Sequence, residues 1–293
     1  MKDFGPPSGI ALPVSRPLSP AQARALAETA RLDAARDAAR ARLDAVAGRL
    51  SWRPVRGVEQ LVLDGPGGSG DRRSRIRVIG PRGPATEAFL ARFAAERAAA
   101  TGALREVEES LAMQAAANRS VRLGAIPDPA ARALRALARG PGEIVALGAA
   151  ALAGYLAAAG RALVPAHGPD PLAPLRERLA VAGGDAGELC RAMRARGEAG
   201  FVARAATLAV ASDGYVLEVY PAGSRPPGPA TRVVAVDTSG MPVPLRLPPI
   251  RAYAAERLAR AQDGDDAEAI FALAQGRAAI GCLDVPNAVT RTS

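Results

Sequence analysis

The chain of 293 residues is long enough for one large domain or two modest ones, and 49% of it is apolar although aromatic residues make up only 3%. The net charge of +9 arises from 38 basic residues, all arginine except Lys2, and it permits a polyanionic partner such as nucleic acid or a nucleotide. Only two cysteines, Cys190 and Cys282, and one histidine are present, which argues against a disulfide framework and a structural zinc site.

The sequence contains no segment that predicts membrane insertion. Its longest apolar run, residues 146–159, is shorter than the roughly 18 residues that a spanning helix needs. The N-terminus has prolines and Asp3 but lacks the apolar core of a secretion signal. We therefore expect a cytoplasmic protein with no membrane partner.

The first part of the chain predicts a flexible arm, a helix and a hairpin. Residues 1–19 are rich in proline and glycine and are expected to be flexible. Ser19 and Pro20 then begin a helix that runs to about residue 50, because serine caps helices and proline suits their first position. Two strands within residues 53–80 flank a glycine-rich loop at 64–71. That loop lacks the Lys-Ser/Thr ending of a phosphate-binding loop, so it is interpreted as a hairpin tip.

Helices are predicted next, at 86–100, 103–118 and 129–139. The last of these carries Arg132, Arg135 and Arg139 at helical spacing. This stripe fits either a solvated face or an edge that faces a triphosphate or a nucleic acid. The boundary between a helical and hairpin N-terminal region, 20–126, and a second domain, 127–283, is placed just before this helix, and residues 284–293 are expected to be a flexible tail.

The second domain is organised around a short buried strand, 144–147, a turn at Gly148 and a helix that stops at Gly160. A second approach to the core carries Asp170. After a turn at Asp213, a strand places Tyr215, Leu217 and Val219 on one face and Glu218 on the other. A hairpin (233–236 with 243–247) and helices from residue 248 and over 265–276 complete the domain.

The order of these segments resembles the nucleotidyltransferase fold of the polymerase-beta-like superfamily, in particular a family of bacterial nucleotidyltransferase-like proteins. The resemblance extends from about residue 36 to about residue 280. It includes Gly-Pro-Arg-Gly-Pro-Ala-Thr-Glu at 80–87, the proline-led helix after Pro127, the helix that Gly148 opens, and Gly-Tyr-Val-Leu-Glu at 214–218. The fold that the resemblance implies is α/β (α+β), with a small mixed sheet flanked by helices.

Such proteins transfer a nucleotidyl group from a nucleoside triphosphate (NTP) to an acceptor hydroxyl, with Mg²⁺ held by carboxylates. Carried over to this chain, the resemblance assigns Gly148, Ala149 and Arg176 to nucleotide binding, and Asp170 and Glu218 to catalysis and metal binding. The family's Asp-x-Asp falls on Gly168-Pro-Asp170, so Gly168 replaces the first carboxylate. Lone His167 beside it is interpreted as a loop residue.

Two functions follow, and both stay open at this stage. The first is a transferase that uses Mg²⁺ and an NTP, weakened or inactive because Gly168 supplies no ligand. The second is a non-catalytic module that binds a nucleotide, a nucleic acid or a protein. Nucleic acid or protein is also the expected acceptor in the first case, and the sequence predicts no oligomeric state.

Overall fold

The computed structural model describes residues 14–65, 75–139, 143–164, 170–198, 200–211, 213–224, 227–262 and 267–283. Within these ranges the chain forms seven α-helices and twelve strands. The helices are α1 (Pro20–Ala45), α2 (Pro84–Ser120), α3 (Asp128–Ala138), α4 (Gly148–Ala158), α5 (Ala186–Arg194), α6 (Ile250–Gln262) and α7 (Ala267–Leu283). The strands are β1 (Val14–Pro17), β2 (Arg49–Val55), β3 (Val58–Gly65), β4 (Arg75–Pro81), β5 (Val145–Ala146), β6 (Arg161–Val164), β7 (Arg178–Ala182), β8 (Phe201–Ala205), β9 (Leu208–Ala211), β10 (Val216–Tyr220), β11 (Thr231–Val236) and β12 (Pro242–Leu247).

The chain is an α+β protein, as the sequence predicts, and its internal contacts divide it into two units. One unit comprises residues 31–112, and the other comprises residues 1–30 together with 113–293. In the described part of the chain no helix has both the length and the apolar character needed to cross a membrane.

The unit of residues 31–112 contains an antiparallel sheet in the order β2-β3-β4. Leu61 and Val62 at the centre of β3 are buried, because a β-bulge between them turns both side chains inward. The segment of α1 in this unit holds a buried ion pair between Asp33 and Arg36, one helical turn apart.

The larger unit is built on a five-stranded sheet in the order β5-β7-β10-β9-β8. β7 and β10 are parallel, and the other neighbours are antiparallel. One face of the two central strands is fully buried, with Leu179, Val181, Leu217 and Val219 at most 1% exposed. The predicted inward face of β10 is therefore confirmed.

Helix α4 lies in the core of this unit. Every residue from Gly148 to Leu156 is buried, which explains why the helix consists of alanine, leucine and glycine with one tyrosine and has no charged face. The predicted sequence of a short strand, Gly148 and a helix that ends before Gly160 is confirmed. Gly154 allows the β11–β12 hairpin to approach, since a Cβ there would lie 2.7 Å from Leu247 Cδ2.

Several predicted boundaries differ from the structure. The end of the supposedly flexible arm is a strand, because β1 pairs with β6. The helices expected at 86–100 and 103–118 are one helix, α2, which runs through Gly102, where a Cβ would meet no atom within 4 Å. α7 likewise continues past Gly276 to Leu283. The glycine-rich tip between β3 and β4 and the tail after residue 283 lie outside the described residues.

The division into units also differs from the predicted boundary at 126/127. The start of α1 belongs with the larger unit, because Gln22 donates to the Val121 carbonyl at 3.0 Å and Thr29 accepts from the Asn118 amide at 2.8 Å. The predicted N-cap is present: Ser19 Oγ accepts from Gln22 N at 3.2 Å, and Gln22 Oε1 accepts from Ser19 N at 3.1 Å.

Candidate functional site

The entry to α4 is the first component of the candidate site. Gly148 has φ +53°, a left-handed conformation that glycine adopts without steric cost. Leu147 before it is extended, and no side chain caps the helix. The first turn of α4 therefore presents backbone N–H groups that no side chain satisfies, which is the usual setting for an anion at a helix N-terminus.

Strand β7 lies directly beside this entry. Leu147 N donates to the Ala180 carbonyl at 3.0 Å, and a Cβ on Gly148 would lie 4.0 Å from Ala180 Cβ. Ala180 is in turn the register partner of Glu218 on β10. The sheet thus places Glu218 on the strand next to the one that faces Gly148, on the face opposite the buried leucines and valines.

Glu218 is already engaged by other side chains. Its Oε1 accepts from Arg178 Nη1 at 3.2 Å, and its Oε2 accepts from the Tyr220 hydroxyl at 3.3 Å. The side chains of Arg178 and Glu218 are 37% and 25% exposed, so the pair is half-buried. The carboxylate therefore faces a guanidinium, whereas a metal ligand would need its oxygens directed at the metal ion.

Helix α6 contributes two more arginines. Arg257, 8% exposed, donates from Nε and Nη2 to both oxygens of Glu256 at 2.7 and 2.6 Å. Arg260 contacts the same carboxylate at 2.5 Å. Arg257 Nη1 lies 3.9 Å from the position that a Cβ on Gly148 would occupy, so this guanidinium is at the entry to α4.

Two tyrosines, Tyr220 on β10 and Tyr253 on α6, lie against these arginines. The Arg260 guanidinium lies 5.8 Å from the centre of the Tyr220 ring, and the Arg257 guanidinium lies 5.9 Å from that of Tyr253. The Tyr253 hydroxyl donates to the Gly148 carbonyl at 2.7 Å. Burial raises the pKa of Tyr253, so the hydroxyl keeps its proton and remains a donor.

We name these residues the Gly148 cluster: Gly148, Arg178, Ala180, Glu218, Tyr220, Tyr253, Glu256, Arg257 and Arg260. Its three guanidinium groups exceed its two carboxylates by one positive charge, to which the N-terminus of α4 adds partial positive charge. The arrangement can attract an anion. It does not offer the set of oxygen ligands that Mg²⁺ requires.

The other predicted site residues lie elsewhere. Asp170 is in a turn, where its Oδ1 accepts from Leu172 N at 3.0 Å and its Oδ2 lies 3.7 Å from Arg176 Nη2. Asp170 and Arg176 line a cavity together with Ala153 and Ala157, from the second half of α4. Glu218 is not among the described residues that line this cavity.

Asp170 and Glu218 therefore have different surroundings, the first at the cavity and the second beside Arg178. Gly148 and Ala157 are separated by about 14 Å along α4 at 1.5 Å per residue, and the two carboxylates are associated with opposite ends of that helix. In the sheet the strand next to β5 is β7, and not the segment at Asp170. The predicted nucleotide residues are divided in the same way, with Gly148 and Ala149 at one end and Arg176 at the other. Gly168 and His167 lie outside the described residues.

The residues of β7 that lie beside Glu218 are Arg178 and Ala180. They are two apart on β7, so their side chains share the face of Glu218. In the described part of the chain, no group of three His, Cys, Asp or Glu residues could hold a metal ion. The donor set at this place does not fit a pair of Mg²⁺ ions.

A signal for β7 was present in the sequence. Arg-Leu-Ala-Val-Ala at 178–182 alternates between the two faces and ends at Gly183-Gly184, which is typical of a strand followed by a turn. The acid that begins α5 follows it, since Asp185 Oδ1 accepts from Gly187 N and Glu188 N at 2.8 and 3.2 Å.

Comparison with protein-family models, with curated proteins and with solved structures finds no match for this chain.

Proposed function

We propose that this chain is a nucleotidyltransferase-like protein that binds the triphosphate of a nucleotide without transferring it. The observation that carries the proposal is the identity of the residues beside Gly148. A transferase needs carboxylates on β7 to hold Mg²⁺, and this chain has Arg178 and Ala180 there. The remaining acid, Glu218, binds a guanidinium.

The chemistry of the Gly148 cluster supports an anionic ligand. Arginine presents a planar set of donors that matches phosphate oxygens, and Arg257 places this group against the uncapped start of α4. A guanidinium can replace part of the charge that a metal supplies in an active transferase. Binding of the triphosphate should therefore not require Mg²⁺.

Calorimetry tests the binding. Purified protein is titrated with ATP and with GTP, once with EDTA and once with Mg²⁺. We expect comparable affinity in both conditions. Arg257→Gln should weaken binding by about tenfold or more, because a charge-assisted hydrogen bond contributes about 1.5–3 kcal/mol. Arg251→Gln, at an exposed position of the same helix, is the matched control and should leave affinity unchanged.

Two results would overturn the proposal. One is incorporation of labelled nucleotide into any acceptor, which would show that transfer survives. The other is binding that disappears in EDTA, because it would mean that a metal holds the phosphates. Equal loss of affinity in the two variants would show that general surface charge, and not the Gly148 cluster, attracts the nucleotide.

A second experiment rebuilds the missing ligands. The double variant Arg178→Asp with Ala180→Asp would place three carboxylates on two adjacent strands, and we expect it to gain Mg²⁺ binding by calorimetry. Gly168→Asp with Glu218→Asp, the pair suggested by the sequence, is the comparison. It should gain nothing, since Asp170 lies near the other end of α4. A gain in the comparison alone would show that our placement of the site is wrong.

The proposal includes a cytoplasmic location. Both Cys190 and Cys282 are buried free thiols, which is usual in a reducing compartment.

A further inference from the structure

A second concave site lies in the larger unit, at the other half of α4. It is a cavity of about 960 Å³, near the upper end of the range for small-molecule pockets. Its walls come from β1 and the start of α1, the turn after α2, the second half of α4, β6 and the turn at Asp170. It shares no described lining residue with the Gly148 cluster.

The interior of the cavity is aliphatic. Leu123, Leu156 and Leu163 line it, with Ala153 and Ala157 on the wall formed by α4. Leu156 and Ala153 are buried in the core, so this wall is part of the rigid centre of the unit. An apolar wall of this kind favours a ligand with a hydrocarbon body.

The charge around the cavity is strongly positive. Four arginines line it, Arg16, Arg122, Arg161 and Arg176, against a single carboxylate among the described lining residues, Asp170. Asp170 is paired with Arg176. Arg161 donates to the Ser15 hydroxyl and carbonyl at 2.8 and 2.6 Å, and Arg16 donates to the Pro17 carbonyl at 3.2 Å. Three guanidinium groups therefore have no carboxylate partner in the described part of the chain.

Arg122 stands at a position that suits glycine better. It follows the end of α2 with φ +55°, and the turn is closed by hydrogen bonds from Arg122 N to Arg119 O at 3.0 Å and from Leu123 N to Asn118 O at 2.9 Å. Such left-handed positions after a helix are usually glycine. The arginine is therefore not explained by the turn, and its exposed side chain is among those that line the cavity.

We propose that this cavity binds an amphiphilic anion, with an aliphatic chain against the leucines and a carboxylate or phosphate held by the arginines. Arginine pairs with both head groups through parallel hydrogen bonds. The aliphatic part of the ligand would bury apolar area against the leucines, and an inorganic anion has no such part. This inference is independent of nucleotide binding at the Gly148 cluster.

The test compares four probes by calorimetry: dodecanoate and dodecyl phosphate below their micellar concentrations, dodecanol below its solubility limit, and inorganic phosphate. We expect both amphiphilic anions to bind one per chain. Dodecanol should bind at least about tenfold more weakly, because it offers no charge to the guanidinium groups. Inorganic phosphate should give no measurable heat. A stronger response to dodecyl phosphate than to dodecanoate, or the reverse, identifies the head group.

Arg122→Gly is the decisive variant. It removes one guanidinium but relieves the left-handed backbone, so the fold should be kept. We expect it to weaken dodecanoate binding by about tenfold. Arg24→Gln, an exposed arginine of α1 that does not line the cavity, is the control for overall charge and should have no effect.

Each contrary outcome counts against the proposal. Equal binding of dodecanol and dodecanoate, or unchanged affinity in Arg122→Gly, would show apolar adsorption without recognition of the anion. If inorganic phosphate bound and neither amphiphilic anion did, the cavity would be an anion site that does not accept an aliphatic ligand. Displacement of dodecanoate by ATP from the natural protein and from Arg257→Gln, but not from Arg122→Gly, would show that the cavity is a nucleotide site instead.

Discussion

The ion pair between Arg135 and Asp237 is the sharpest test of how the larger unit is held together. Asp237 is fully buried in the turn between β11 and β12, and it accepts hydrogen bonds from Arg135, from Ser239 Oγ at 2.7 Å and from Met241 N at 2.8 Å. Arg135 also donates to the Pro242 carbonyl at 2.9 Å. One side chain of α3 thus fixes both the turn and the start of β12.

Removing either partner should be costly. Loss of one member of a buried pair typically destabilises a protein by about 3–5 kcal/mol, since the other charge stays buried without a partner. Arg135→Ala leaves the Asp237 carboxylate buried without its charged partner, so we expect a loss of stability within this range. Asp237→Ala should fall near the lower end, about 3 kcal/mol, because the Arg135 side chain is 22% exposed and keeps contact with water.

Urea denaturation followed by circular dichroism measures both variants and their combination. Arg132→Ala on the same helix is the control: its side chain is 45% exposed and lies 3.5 Å from Asp128, so it should cost less than about 1 kcal/mol. The double variant should lose less stability than the sum of the single variants. Losses below about 1 kcal/mol in both single variants would refute this account, because they would mean that the pair is solvated.

Three further predictions concern the core of the same unit. Leu217→Ala should cost about 2–5 kcal/mol in urea denaturation and Glu218→Ala less than about 1 kcal/mol, because only the first side chain is in the core; equal midpoints would place β10 in the wrong register. Gly154→Ala should cost about 1–3 kcal/mol by overpacking against Leu247, and an unchanged midpoint would show that the β11–β12 hairpin shifts freely. Burial raises the pKa of the Cys282 thiol to about 11, so the folded state favours the neutral thiol. The resulting stability should be complete below pH about 9 and be lost as the pH rises towards 11; a flat profile of unfolding free energy in this window, relative to Cys282→Ala, would contradict it.

The sequence predicts the centre of the larger unit well, because local rules are strong there. Gly148 between a buried strand and an alanine-rich run marks a strand, a turn and a helix, and all three are present. The alternation around Leu217 marks a half-buried strand with the correct inward face. These features depend on neighbours in the chain, which the sequence shows directly.

The strands that pair with β10 could not be predicted in the same way. Register and neighbour choice depend on which segments meet in space, and between Gly160 and Asp213 the chain adds β6, β7, α5, β8 and β9. Asp170, between two prolines, was predicted to bind metal because it matched a motif, while Arg178 matched none. Arg135 was likewise grouped with two other arginines by spacing, although its partner, Asp237, is about a hundred residues away.

The two strands β7 and β10 have one face in the core and one face at the Gly148 cluster. Leu179, Val181, Leu217 and Val219 hold the strands in the core, and they alternate with the residues of the Gly148 cluster. A substitution at Ala180 or Arg178 therefore changes the second face without opening a cavity in the core, and on that face the Arg178–Glu218 contact satisfies the acid. Stability constrains one face of these strands and chemistry the other. A resemblance in the order of strands and helices consequently carries information about the first face only, and activity must be argued from the side chains on the second.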